Sequence, residues 1–99
     1  MRAVFGIDVS KASSEVVILV NSEKVHDYSM PNDAIGFSRL LKDLNTVSNP
    51  EIIFEATGVY SRRLQAFLEE NGYAYTRLNP QQLDSLHEYI KPISLMRRI

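Results

Sequence analysis

The segment Ala3-Val4-Phe5-Gly6-Ile7-Asp8-Val9-Ser10-Lys11 begins as an apolar strand and carries a carboxylate, Asp8, where that strand should end. A second run, Ile52-Ile53-Phe54-Glu55-Ala56-Thr57-Gly58, repeats the pattern with Glu55. Acidic residues are unfavourable inside strands. A carboxylate at the end of a core strand must reach solvent or find a cation. The two runs therefore predict strands that bring a pair of carboxylates to one edge of a sheet, where they hold a divalent cation.

The pattern around these runs predicts alternating elements. Apolar or alternating segments bounded by turn-forming residues predict strands at 4–8, 15–20, 25–30, 52–55 and 73–78, with a turn at 21–24. Helices are expected to begin near Asp33, at Thr57-Gly58 and at Asn79-Pro80, and Asn71-Gly72 should close the second. The order βββαβαβα is typical of an α/β, ribonuclease H-like fold with a five-stranded mixed sheet in the order 3-2-1-4-5.

Two helices carry apolar residues at helical spacing. The residues expected to face the core are Ile35, Phe37, Leu40, Leu41 and Leu44 in the first helix, and Tyr60, Leu64, Phe67 and Leu68 in the second.

Length and composition exclude several classes of protein. Ninety-nine residues, 44% hydrophobic and 23% charged, suit one domain, residues 1–99, with one modest core. No apolar run approaches the ~18 residues of a membrane span, and Asp8 interrupts any signal-peptide core, so a cytoplasmic protein without membrane contact is expected. The chain has no Cys, and its two histidines, His26 and His87, are far apart. Carboxylates are thus the available metal ligands, and they favour Mg²⁺ or Mn²⁺.

Charge is distributed unevenly along the chain. Residues 1–57 carry five Lys and Arg against eight Asp and Glu, whereas residues 58–99 carry six against four. The basic residues available for phosphate contact are Arg62, Arg63, Arg77, Lys91, Arg97 and Arg98.

Each carboxylate also has an ordinary structural explanation. Asp8 could cap the turn at Ser10 or pair with Lys11, and Glu55 could form an ion pair with an arginine of the following helix. The metal site is favoured because both acids follow strands that should be neighbours. A two-metal site for phosphodiester attack needs several carboxylates around cations about 4 Å apart, so these two acids do not complete one.

Nucleic-acid contacts are predicted near the same edge. Thr57-Gly58 either starts a helix or presents backbone N–H groups to a phosphate. Lys11 either contacts a phosphate or is a solvated turn residue, and Tyr60 either packs on the core or stacks on a base. The arginines of the second helix contact phosphates or form a solvated face. The candidate nucleic-acid-binding residues are Lys11, Thr57, Gly58, Tyr60, Arg62 and Arg63.

Three motifs resemble a known family. Residues 6–11 (Gly-Ile-Asp-Val-Ser-Lys), residues 54–60 (Phe-Glu-Ala-Thr-Gly-Val-Tyr) and residues 78–80 (Leu-Asn-Pro) resemble the amino-terminal domain of the DEDD transposases, insertion-sequence recombinases related to the Piv and MooV invertases. The resemblance spans nearly the whole chain. It implies a RuvC-like fold in which Asp8 and Glu55 are the first two catalytic, metal-binding members of an Asp-Glu-Asp-Asp tetrad. It also implies DNA as substrate, in some members with a guide RNA from the same element.

The sequence departs from this family after the Asn-Pro motif. The family continues into a Lys-Thr-Asp-x-x-Asp-Ala segment that supplies the last two acids, and then into a domain with a serine implicated in strand exchange. Residues 96–99 are Met-Arg-Arg-Ile, and neither feature is present. The expectation is therefore an amino-terminal fragment of a longer transposase, inactive alone and homo-oligomeric when full length.

Two other classes of function remain open. Gly6-Ile7-Asp8 followed by a β-hairpin also resembles the first phosphate motif of actin-like ATPases and sugar kinases, which usually have Gly and Thr or Ser just after the Asp. Here Val9-Ser10-Lys11 follows, and the chain is too short for a two-lobed kinase. The other alternative is a non-catalytic nucleic-acid-binding or dimerisation module that uses the arginines. Metal titration distinguishes the hypotheses that need a metal site from the non-catalytic module, and ATP binding distinguishes the kinase from the transposase.

Overall fold

The computed structural model describes residues 2–55 and 59–78. In chain order, the elements of these ranges are β1 (Ala3–Val9), β2 (Ser13–Val20), β3 (Glu23–Pro31), α1 (Ala34–Leu44), β4 (Glu51–Glu55), α2 (Tyr60–Glu70) and β5 (Thr76–Leu78). The third helix, expected from Asn79-Pro80, lies outside the described residues.

The five strands form one mixed sheet in the order β3-β2-β1-β4-β5, which confirms the predicted order. β1 pairs antiparallel with β2, and β2 pairs antiparallel with β3. β4 is parallel to β1, and β5 is parallel to β4. β1 lies at the centre, and its apolar run is buried because core clusters cover both faces of the sheet. The carboxyl ends of β1, β4 and β5 consequently meet at one edge of the sheet.

The hairpin between β2 and β3 is tighter than the sequence predicted. Only Asn21 and Ser22 join the strands, with φ of 51° and 70°, and Val20 already pairs with Glu23. Left-handed backbone at both central residues matches the twist of an antiparallel pair, so the predicted four-residue turn was wrong. The register shifts between Ile18 and Leu19, and this irregularity leaves Val25 58% exposed on the edge strand.

The start of α1 agrees with the prediction. Asp33 is the N-cap, and its Oδ1 accepts a hydrogen bond from the backbone N–H of Gly36 at 3.0 Å. Phe37, Leu40 and Leu44 are buried and face the core, whereas Leu41, also predicted to face it, is half-buried. Ile35, which was predicted to face the core, is 78% exposed. It lies about 160° around the helix from the buried face, so this assignment was wrong.

α2 packs on the same face of the sheet as α1. Its buried residues are Ser61, Leu64 and Leu68. Tyr60, which was predicted to join them, is 42% exposed. The side chains of a helix lean toward its N-terminus, so a residue of the first turn extends past the edge of the sheet. The predicted left-handed cap is present, since Gly72 has φ of 75°.

β5 is shorter than the predicted strand at 73–78. It contains Thr76–Leu78, and these residues pair with the end of β4. Tyr73 and Tyr75 precede it and pack against the core instead. Their hydroxyls donate hydrogen bonds to Asn45 Oδ1 and to Glu69 Oε1. Long aromatic side chains in the crossover therefore anchor the loop before β5 begins.

The core lies on both faces of the sheet. The larger cluster joins one face to α1 and α2 and includes Phe5, Ile7 and Phe54. The smaller cluster lies on the opposite face and consists of Val4, Val17, Leu19, Ile53 and Leu78. Neither described helix contributes to the smaller cluster. Within the described ranges, no helix is long and apolar enough to cross a membrane.

Candidate metal centre

Asp8 and Glu55 lie side by side at the carboxyl edge of the sheet. β1 and β4 are adjacent parallel strands, and their register pairs Ile7 with Phe54. Each acid is the next residue of its strand. Because side chains alternate between the faces of a strand, residues that follow a register pair in parallel strands point to the same side. The predicted placement of the two acids on adjacent central strands is thus confirmed.

The face on which the acids lie follows from their apolar neighbours. Ile7, Val9 and Phe54 belong to the cluster beneath α1 and α2. Alternation therefore directs Asp8 and Glu55 to the opposite face of the sheet. Asp8 is exposed and Glu55 is half-buried. Both carboxylates lie at the rim of the smaller core cluster, where solvent or a cation can reach them.

The structural alternatives for these acids are not observed. Ser10 closes the β1–β2 turn itself, because its N–H and its Oγ both donate to the carbonyl oxygen of Ser13, at 2.9 and 2.8 Å. Within residues 2–55 and 59–78, neither acid forms an ion pair with Lys11 or with an arginine of α2. Arg63 instead approaches the carbonyl oxygen of Asn32 at 3.5 Å. Among the residues that the structure describes, the two side chains therefore have no cap or salt-bridge partner.

The donor chemistry fits a hard divalent cation only in part. Carboxylate oxygens are the ligands that Mg²⁺ and Mn²⁺ accept, and both cations commonly retain several waters. In the described part of the chain, however, no group of three His, Cys, Asp or Glu side chains is close enough to hold a metal ion. Two carboxylates therefore form part of a coordination shell rather than a complete one.

Glu15 is a further acid of this row that the sequence reasoning did not single out. The antiparallel register pairs Asp8 with Glu15, so three neighbouring strands carry carboxylates at the same level of the sheet. Glu15 has an interaction of its own. The signal was available in the sequence, since a short turn centred between Lys11 and Ala12 places the two acids opposite each other. The apolar run that follows Glu15 predicts only a core strand and does not mark the acid at its start.

The described candidates for nucleic-acid contact lie in two places near the carboxyl edge of the sheet, the β1–β2 turn and the start of α2. Lys11 is exposed in the three-residue turn between β1 and β2. Tyr60 and Arg62 are exposed in the first turn of α2, whose N-cap, Val59, makes no side-chain hydrogen bond. Arg63 is also exposed, on the side of α2 that approaches the end of β3. The remaining candidates, Thr57 and Gly58, lie outside the described residues.

Comparison with known proteins agrees with this architecture. No curated protein matches the sequence. Among solved structures, the fold is similar to that of T. thermophilus RuvC in complex with a Holliday junction substrate, with a TM-score of 0.62 and 11% sequence identity over 94% of this chain and 78% of that chain. At this identity the likeness shows the ribonuclease H-like fold. The model of the IS110-type DEDD family, described as transposase, matches residues 5–92. The chain therefore belongs to the IS110-type DEDD transposase family.

Proposed function

We propose that this chain is a nuclease-type domain of a DNA transposase and that Asp8 and Glu55 are two of its catalytic metal ligands. The strand register carries the proposal. It sets both acids at the same level of adjacent parallel strands, and neither forms an ion pair with a described residue. Family membership supports DNA as the substrate, as does the Holliday junction held by the structurally similar RuvC.

The chemistry follows from the charge of the site. Asp8 and Glu55 would hold Mg²⁺ or Mn²⁺, which supplies activation of the attacking oxygen and stabilisation of the leaving oxygen in phosphodiester attack. The carboxylates are acceptor-only oxygens. Their own role is to bind and orient the cation at the sheet edge, on the face opposite α1 and α2.

The DNA contacts complete the proposal. Lys11 and Arg62 are exposed cations near the carboxyl edge and suit phosphate contacts, whereas the exposed ring of Tyr60 suits stacking on a base. Thr57 and Gly58 are proposed to offer backbone N–H groups to a phosphate. Arg63 is proposed as a further phosphate contact. A guide RNA and homo-oligomeric assembly remain expectations from the family resemblance.

Calorimetric titration with Mn²⁺ tests the metal site in this chain. Two carboxylates should bind the cation only at millimolar concentrations, because hard cations need more charge and more ligands for tight binding. Asp8→Asn and Glu55→Gln should each abolish the binding heat. Glu23→Gln is the matched control, because Glu23 is an exposed acid at the far end of β3. The wild-type chain is expected not to cleave a DNA duplex in the same buffer.

The outcomes distinguish the proposed function from its alternatives. Equal Mn²⁺ binding by wild type, Asp8→Asn and Glu55→Gln would contradict the metal assignment. DNA binding without any metal effect would instead support a non-catalytic nucleic-acid-binding module. Saturable ATP binding would favour the hypothesis of an actin-like ATPase or sugar kinase. Metal-dependent cleavage by these 99 residues would show that other acids of the chain complete the site.

A further inference from the structure

Asn32, a buried residue directly after β3, forms hydrogen bonds to the β1–β2 turn. Asn32 is only 8% exposed. Its Nδ2 donates to the carbonyl oxygen of Ser10 at 2.7 Å, and its backbone N–H donates to the carbonyl oxygen of Ala12 at 3.0 Å. Its Oδ1 accepts from Ser14 Oγ at 2.6 Å. Asn32 thus holds the turn on both sides of Lys11 and Ala12, whose backbone lies between these two carbonyl groups.

These bonds add restraint to a turn that is already closed. The N–H and Oγ of Ser10 both reach the carbonyl oxygen of Ser13, so the reversal of the chain does not depend on Asn32. Burying an amide side chain is unfavourable unless its groups are paired, and here both ends of the amide are paired with the turn region. The extra bonds restrain the backbone of Lys11 and Ala12, since they hold the peptide group before Lys11 and the peptide group after Ala12.

Lys11, one of the two restrained residues, is a cation beside the proposed metal centre. Lys11 is exposed and follows Asp8 by three positions. A lysine on a loose loop loses conformational freedom when it binds a phosphate, and a loop that is already ordered avoids much of that loss. The guanidinium of Arg63 approaches the carbonyl oxygen of Asn32 at 3.5 Å, so the same residue also links the turn to α2.

We propose that Asn32 is a positioning residue for DNA binding. It restrains the β1–β2 turn so that Lys11 is already ordered for contact with a backbone phosphate beside Asp8. This inference rests on the proposed function, because it needs DNA as the ligand. Asn32 itself does not touch the DNA. Its contribution passes through the backbone of Ser10, Lys11 and Ala12.

A double-mutant cycle on DNA affinity tests the proposal in the 99-residue chain. The variants are Lys11→Ala, Asn32→Ala and the double substitution, titrated against a fluorescent DNA duplex at several salt concentrations. Lys11→Ala should weaken binding and reduce the salt dependence by about one counterion. Asn32→Ala should weaken binding at least about twofold in the wild-type background and have little further effect once Lys11 is absent. Asn45→Ala is the control, because Asn45 also accepts a side-chain hydrogen bond, from Tyr73, but at the far end of α1.

Amide hydrogen exchange supplies a readout that does not need DNA. Asn32→Ala should increase exchange at Ser10 and leave the paired amides of β1 and β4 protected, whereas Asn45→Ala should change neither. Ser14→Ala, which removes one bond to Asn32, replaces Asn32→Ala if that variant does not fold. Unchanged exchange at the turn would overturn the positioning role, as would additive effects of the two substitutions on affinity. Failure of the wild-type chain to bind the duplex, with the exchange result intact, would instead count against the proposed function and, with it, the phosphate role of Lys11.

Discussion

Tyr28 shows how one buried group can make stability depend on pH. The residue is 9% exposed, and the centroid of its ring lies 4.1 Å from the guanidinium carbon of Arg39. Neither its hydroxyl nor the Oδ2 of Asp43 has a hydrogen bond of good geometry to a described residue. Burial, and then the neighbouring Asp43 carboxylate, raises the pKa of Tyr28 above its ordinary value of 10.0. The folded chain therefore keeps this phenol protonated at a pH where the unfolded chain ionises it.

Tyr28→Phe should change how the free energy of unfolding falls with pH above about 10. Because the folded pKa is raised, the stabilising contribution is complete below the unfolded pKa and declines as pH rises above about 10. Wild type should therefore lose stability relative to Tyr28→Phe between pH 10 and 11, by up to about 1.4 kcal/mol per pH unit, the slope for one proton. Thermal unfolding of both proteins at pH 7, 9, 10 and 11 measures this difference in stability. Parallel curves would show that Tyr28 ionises alike in both states.

Gly36 decides how closely α1 can approach the end of β3. A Cβ built on Gly36 would lie 1.9 Å from the carbonyl oxygen of Pro31 and 3.0 Å from its carbonyl carbon. The obstacle is backbone, so it cannot move aside as the end of a flexible side chain can. The first turn of α1 is also fixed by the Asp33 cap. The element therefore depends on this glycine for its position, although glycine is a weak helix former.

Gly36→Ala should destabilise the domain despite the higher helix propensity of alanine. Propensity alone favours alanine by about 1 kcal/mol. The overlap with Pro31 forces a backbone shift that typically costs about 1–3 kcal/mol, so the net change should be unfavourable. Urea unfolding measures it, with Ser38→Ala as the control at an exposed position of the same helix. A Gly36→Ala variant as stable as wild type would mean that α1 can move away from β3 without loss.

The juxtaposition of Asp8 and Glu55 is a property of the whole fold. The two residues are 47 positions apart in the sequence. They meet because β4 adds parallel to β1 after the crossover through α1. Without a cation, their carboxylates repel each other at the edge of the sheet.

Asp8→Asn should therefore leave the fold intact and raise the melting temperature in metal-free buffer. Like charges at neighbouring sheet positions are unfavourable by roughly 0.2–1 kcal/mol, so an increase of about 1–5 °C is expected. Glu23→Gln, which removes a negative charge far from the pair, should have a smaller effect. Added Mn²⁺ should stabilise wild type but not Asp8→Asn. Unfolding of Asp8→Asn would assign the carboxylate a structural role and contradict the site.

Much of the architecture was predictable because it depends on local patterns. The apolar runs at β1 and β4, the cap at Asp33 and the Gly72 helix end are encoded by neighbouring residues. The error in the bounds of β5 occurred because contacts outside the strand decide where it begins. Tyr73 and Tyr75 have side chains typical of a strand, but their hydroxyls and rings find partners in the helices and the core, so β5 begins only at Thr76.

The sequence by itself determined the order of the elements, the order of the strands and the two acids at the strand ends, since short-range periodicity and chain connectivity restrict these features. Only the tertiary structure decided the register of Ile7 with Phe54 and the hydrogen bonds by which Asn32 holds the β1–β2 turn. The physical reason is that strand register and side-chain hydrogen bonds between distant segments depend on how the whole core packs, and no local pattern specifies them.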